Sequence, residues 1–205
     1  MNINTIIFDL GGVIINLDEL ATVSAFAALS GHPYQEVIQL YQQSEVFKQY
    51  EMGNISSTVF REEVRKMIDT QSDDATIDRA WNAMLGEIPI QRLELLLDLQ
   101  KNYRVMILSN TNEIHETAFN QILQQVSGKN SLHDFAHDVF FSHRIHLRKP
   151  NADIYLNLLA TSGIQAENAI FLDDKLENLE GAKSVGINTL HITTPDDVFK
   201  IKSHV

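Results

Sequence analysis

The chain contains no cysteine, which excludes disulfide bonds, thiolate zinc sites and a cysteine nucleophile together. Any metal must therefore be held by oxygen or imidazole. Basic residues are also scarce: 16 Lys and Arg stand against 27 Asp and Glu, for a formal net charge of −11. That balance repels nucleic-acid phosphates and anionic lipid surfaces, so neither is expected as a partner. No apolar run approaches the roughly 20 residues of a membrane span. The first residues carry no basic segment, and the apolar stretch that follows meets Asp9 before reaching signal-peptide length. A cytoplasmic location is the expectation. Internal repeats, low-complexity tracts and long linkers are lacking as well. What is present is ordinary globular material: 205 residues, 44% hydrophobic and 21% charged. This suffices for one domain, or one domain carrying a smaller insertion, as a monomer or a homodimer.

Residues 3–8 form a β-branched run that stops at Asp9 and enters the Gly11-Gly12 turn, as a strand would. From about Leu20 to Leu85 the spacing becomes helical. Ile77, Ala80, Trp81, Met84 and Leu85 fall on one predicted helix face, and Val59, Phe60, Val64, Met67 and Ile68 on another. Gly31-His32-Pro33 and Gly53-Asn54 punctuate this region. After Pro89, Leu93, Leu96 and Leu97 mark a helix, and predicted strands at 103–108, 139–142, 169–172 and 189–192 alternate with helices. Such alternation predicts an α/β fold with a parallel, helix-covered sheet. The helical excursion is too long for a crossover connection alone. It is expected to be an inserted helical domain at 16–88, with 1–15 and 89–205 forming the core.

Polar residues cluster where the predicted strands end. Asp9, Ser109 and the Asp173-Asp174 pair each follow a strand directly, at the edge where parallel sheets bind ligands, and Lys149 sits in a loop that can reach the same edge. Taken singly, each has an ordinary explanation: Asp9 as a turn former, Ser109-Asn110-Thr111-Asn112 as a helix start, Lys149 as a solvated lysine. Adjacent carboxylates after an apolar strand are harder to dismiss, because they repel unless a cation offsets them. Three carboxylates make a hard oxygen site suited to Mg2+. Backbone amides at Gly11-Gly12 and Ser109-Asn110, with Lys149, supply an anion pocket beside it. Metal, anion pocket and a carboxylate nucleophile together fit phosphoryl transfer through an aspartyl-phosphate.

These residues resemble the haloacid dehalogenase-like hydrolase superfamily. Phe8-Asp9-Leu10-Gly11-Gly12-Val13, Leu108-Ser109-Asn110-Thr111, Leu147-Arg148-Lys149-Pro150 and Phe171-Leu172-Asp173-Asp174-Lys175-Leu176-Glu177-Asn178 are similar to its four motifs, in order. The resemblance implies a Rossmann-like core with a helical cap. It implies Asp9 as nucleophile, Lys149 as the charge-stabilising cation, and Leu10, Gly11, Gly12, Ser109, Asn110 and Lys149 around the phosphate. Asp9, the Gly11 carbonyl and Asp174 would ligate magnesium, with Asp173 acting through water or as a further ligand and Asn178 orienting Lys149 or the carboxylates. Gly11 departs from the pattern. Phosphatases of the superfamily usually carry a second aspartate there, which protonates the leaving oxygen.

Three readings follow from that departure. The first is a magnesium-dependent phosphatase acting on a small phosphorylated metabolite such as a sugar phosphate. It would compensate through good leaving groups or through a cap residue, with Asp18, Glu19 and Glu51 as candidates. The second is a phosphate-ligand-binding or regulatory protein without turnover. The third is a 2-haloacid dehalogenase, for which Asp173-Asp174 would be an unexplained electrostatic cost. His115, His133, His137, His143 and His146 are close in sequence, but surface or capping roles are expected for them, with His143 and Arg144 near the pocket rim.

Overall fold

The computed structural model describes residues 2–205. Its sheet has five parallel strands, β1 (Thr5–Phe8), β2 (Arg104–Ser109), β3 (Asp138–Phe141), β4 (Ala169–Asp173) and β5 (Asn188–His191), in the spatial order β3-β2-β1-β4-β5. Each lies within two residues of its expected bounds. Side chains alternate across it: Ile6, Phe8, Val105, Ile107, Ile170 and Leu172 enter one hydrophobic cluster, while Ile7, Met106, Leu108 and Phe171 enter a second. With both faces covered, the strands read as continuous apolar runs.

Between β1 and β2 the chain forms α1 (Glu19–Leu29), α2 (Tyr34–Gln43), α3 (Glu45–Glu51), α4 (Ser57–Ile68) and α5 (Asp74–Asn82), before α6 (Ile90–Leu99) returns to the sheet. These five helices share a separate core in which the Trp81 ring stacks on Phe47 at 5.1 Å and packs against Phe26 and Phe60. Two expected stripes need correction. Helix α5 ends at Asn82, so Met84 and Leu85 lie beyond it, and Leu85 instead bridges Leu17 in an antiparallel pair. Helix α4 buries Phe60, Val64 and Ile68 but leaves Val59 exposed, because i, i+4 and i+8 define its inward face and Val59 sits one position off. Likewise Leu97 is exposed, while Leu93, Leu95, Leu96 and Leu99 are buried.

The two segments joining this helical region to the sheet run side by side, with Asn16 N–H donating to the Glu87 carbonyl and Gly86 N–H to that of Asn16. Among the described residues the remaining α-helices are α7 (Glu113–Ser127), α8 (Ser142–Ile145), α9 (Ala152–Ser162) and α10 (Leu176–Ser184). Strand order reverses at β1, between β2 and β4, and such a switch point opens a crevice at the carboxyl ends of the strands. Among the described residues, no helix is long and apolar enough to cross a membrane.

Candidate active site

Strand register builds the site. Phe8 lies beside Ile107 and Leu172, so the next residues, Asp9 and Asp173, emerge side by side, with Ser109 one step further along β2. Asp9, Asp173 and Asp174 each offer a carboxylate oxygen within 4.8 Å of the others, the one such cluster among the described residues. Lys149 is 1% exposed and joins two of them: its Nζ lies 2.8 Å from Asp9 Oδ1 and 2.7 Å from Asp173 Oδ2. Burial opposes the ammonium, yet the charges of Asp173 and Asp9 outweigh it and raise the Lys149 pKa. Burial also raises the Asp9 carboxyl, with Lys149 pulling it down and Asp173 adding to the rise.

The loop carrying Lys149 is pinned by Asn110, whose side-chain oxygen accepts from Lys149 N–H while its Nδ2 donates to the Lys149 carbonyl. That bond pair occupies the Asn110 side chain. Asp173 is saturated. Lys149 and Asn178 donate to Oδ2, and Asn178 and the Lys175 N–H donate to Oδ1. Asn178 is thereby placed on the carboxylate. Asp9 Oδ1 also accepts from the Leu10 N–H at 2.6 Å, and no protein donor holds its Oδ2 among the described residues.

The expected amide cradle is narrower than the sequence suggests. The Leu10 amide is taken by Asp9, and the Gly12 amide donates to the Ile15 carbonyl, because the tight turn closes on itself. Of these three residues, Gly11 alone lines the cavity with an uncommitted amide. Gly12 has another task. It sits at φ +73°, and a Cβ there would lie 2.6 Å from Asp174 Oδ2, so only glycine lets that carboxylate approach. At Gly11 the missing side chain is replaced by a neighbour: a Cβ would lie 2.4 Å from Leu17 Cδ1.

A cavity of about 130 Å³ opens over these residues. Its far wall comes from the helical segment and includes Leu17, Glu19, Tyr41, Glu51, Trp81 and Met84. The candidate acids divide here. Asp18 caps α1 and does not line the cavity, Glu19 pairs with Lys175 at 2.8 Å, and Glu51 pairs with Arg148 at 3.0 Å. The end of α3, which holds Glu51, is fastened to α8 directly after β3. Ser142 Oγ donates to the Glu51 carbonyl at 2.6 Å, and a Cβ on Gly53, at φ +66°, would meet the His143 carbonyl at 2.2 Å.

His115 overturns the surface assignment: it is buried, stacks on Trp81 at 4.6 Å and lines the cavity. Its Nε2 lies 3.1 Å from the Trp81 carbonyl and its Nδ1 faces the Asn112 side-chain amide. The expected rim position of His143 and Arg144 is also corrected, since both pair with Glu116 away from the cavity. Arg148, which lines it, was the missed neighbour. His133 and His137 share no helix: the former lies in a 3-10 turn and the latter accepts the Val105 N–H.

Burial pushes the His115 ring down to about 4 from 6.5. Between those values the unfolded chain binds the extra proton, so the stability it confers is full above about pH 6.5 and is lost as pH falls towards 4, by roughly 3 kcal/mol in all. Denaturation midpoints of the His115→Gln protein are therefore expected to fall less steeply across that window than those of the parent. Parallel slopes would contradict the buried neutral ring.

Comparison with known proteins follows the same lines. The profile of the haloacid dehalogenase-like hydrolase family matches residues 3–186. The chain is 27% identical over 187 residues to the D-ribitol-5-phosphate phosphatase of Bacteroides thetaiotaomicron, covering 91% of this chain and 90% of that protein. It is 29% identical to the sesquiterpene phosphatase astK of Aspergillus oryzae, covering 91% and 88%. A crystal structure of a HAD family enzyme from Bacteroides thetaiotaomicron, in complex with magnesium and inorganic phosphate, superposes with a TM-score of 0.84 at 32% identity, covering 92% of this chain and 93% of the other.

Proposed function

The chain belongs to the haloacid dehalogenase-like hydrolase family, and from that premise we propose that it is a magnesium-dependent phosphomonoesterase acting on a small polyol or sugar phosphate. One observation carries the reading: three converging carboxylates face a single buried ammonium. Their donor set is hard oxygen, and their surplus negative charge fits a divalent cation. Asp9, Asp174 and the Gly11 carbonyl would hold the ion, while Asp173, with both oxygens already engaged, would act through water. Bound there, magnesium would neutralise charge on the phosphoryl oxygens.

Asp9 is poised to attack. With Oδ1 fixed by Lys149 and the Leu10 amide, Oδ2 forms the bond to phosphorus as the bond to the leaving oxygen breaks and that oxygen takes a proton from solvent water, giving an aspartyl-phosphate and the free alcohol. Water then releases phosphate and restores the carboxylate. Lys149 holds the nucleophile and meets the developing charge, and the Ser109 hydroxyl and the backbone N–H groups of Gly11 and Asn110 would bind the phosphoryl group. The helical segment acts as the cap. Its cavity is small beside the roughly 300–1,000 Å³ of drug-sized pockets and presents Tyr41, Glu51 and Arg148, which suits a compact hydroxylated ester better than a terpenoid one.

A panel of phosphorylated metabolites assayed with and without magnesium tests this. Phosphate release that survives chelation would refute it. Leu17 offers a second check. Since general acid–base help is worth about 10²–10⁴-fold, Gly11→Asp combined with Leu17→Ala is expected to outpace Gly11→Asp alone on an alkyl phosphate. Leu17 blocks the single replacement. Equal rates would remove Leu17 from that role.

A further inference from the structure

Once Asp9, Lys149, Asp173 and Asp174 are assigned to the reacting group, the charged side chains left on the cavity wall are Glu19, Glu51, Glu177, Arg148 and Lys175. Both cations are ion-paired, though the buried Nε of Arg148 has no hydrogen-bond partner. Arg148 Nη2 lies 3.0 Å from Glu51 Oε2, each side chain about three-quarters buried, and Lys175 Nζ lies 2.8 Å from Glu19 Oε1 nearer the solvent. Acids outnumber bases on this wall. Glu51 is also fixed in place, because its own carbonyl is held by Ser142 and that of Met52 lies 2.8 Å from His146 Nδ1.

We propose that the Glu51–Arg148 pair makes the pocket selective for phosphate monoesters whose remainder is uncharged, with Glu51 as the residue that rejects a second anionic group. This rests on the phosphatase reading and adds which esters are admitted. A carboxylate or second phosphate entering here meets Glu51 and Glu19 and finds Arg148 and Lys175 already ion-paired, and a half-buried wall screens that repulsion poorly. Hydroxyl groups meet no such barrier. They donate to the glutamates and accept from Arg148 and Lys175 without breaking either pair. Selection by an unfavourable charge rather than by an added contact is a general route to specificity.

The test reads binding by calorimetry in the Asp9→Asn protein with magnesium. Two probes are compared: D-ribitol 5-phosphate, and D-ribonate 5-phosphate, which has a carboxylate in place of the terminal hydroxymethyl group. The ribonate ester is expected to bind at least about tenfold more weakly, the scale of a like-charge clash. Adding Glu51→Gln, which frees Arg148, should close most of that gap, and Arg148→Gln should widen it. Equal affinities in the protein with Glu51 intact overturn the proposal, as does a gap that Glu51→Gln leaves unchanged or failure of both probes to bind. Turnover is read separately with Asp9 intact. Its absence beside a preserved affinity gap removes the phosphatase reading and leaves the selectivity standing.

Discussion

Asp9→Asn is expected to lower phosphate release by on the order of 10⁴–10⁶-fold, as removing a nucleophile or a residue that activates it does elsewhere, while the fold survives. Asparagine keeps the shape and can still accept the Leu10 N–H and Lys149 bonds now made to Oδ1. It removes the charge. In the metal-free protein that charge sits beside two other carboxylates with one ammonium between them, so its loss relieves repulsion and the melting temperature should hold or rise. With magnesium present the order reverses. A ligand stabilises the fold in proportion to its affinity, and the parent, with three carboxylates, should gain more from the ion than the variant. Substantial turnover by the Asp9→Asn protein would end the covalent mechanism, and equal magnesium-induced shifts would remove Asp9 from the metal site.

The residues behind that expectation were visible in the sequence because parallel topology does the assembling. A β-branched run ending at Asp9, another at Ser109 and an apolar strand ending at Asp173 must deliver those side chains to one edge, whatever separates them along the chain. The helical excursion was visible for a similar reason: 3.6-residue spacing that brackets Trp81 and Phe60 cannot be confused with the sheet's continuous apolar runs.

What stayed hidden depends on bonds that local pattern does not encode. Glu51 and Arg148 are 97 positions apart, and nothing near either announces the other. His115 reads as a surface or capping histidine, and the Trp81 ring that stacks on it comes from α5, 34 positions away. The amides of Leu10 and Gly12 looked available because glycine-rich turns often cradle anions; the turn's own closure spends them. Asn110 shows the same limit. Its motif position is plain, yet its side-chain amide serves the Lys149 backbone.

Lys149→Met should damage both stability and activity, which separates it from Asp9→Asn. Among the described residues the ammonium is the sole cation within bonding distance of Asp9 and Asp173, and Asp173 is fully buried. Methionine matches the length of the stem but removes the ammonium that sits 5.2 Å over the Phe171 ring and leaves two buried carboxylates uncompensated, a change worth about 3–5 kcal/mol in comparable buried pairs. The pH response identifies the cause. Burial already raises the Asp9 carboxyl and Lys149 is the largest influence lowering it, so without the lysine that pKa climbs further above its unfolded value. An acid raised in the folded state binds its proton there first. Its penalty is therefore present at high pH and is relieved as pH falls through the folded value. Denaturant titrations of the metal-free variant should accordingly show stability recovering from pH 8 towards pH 6, while turnover does not return because the protonated Asp9 is no nucleophile. Loss of stability that is the same at both pH values would point to packing rather than charge, and would remove Lys149 from its role as the counterion of this site.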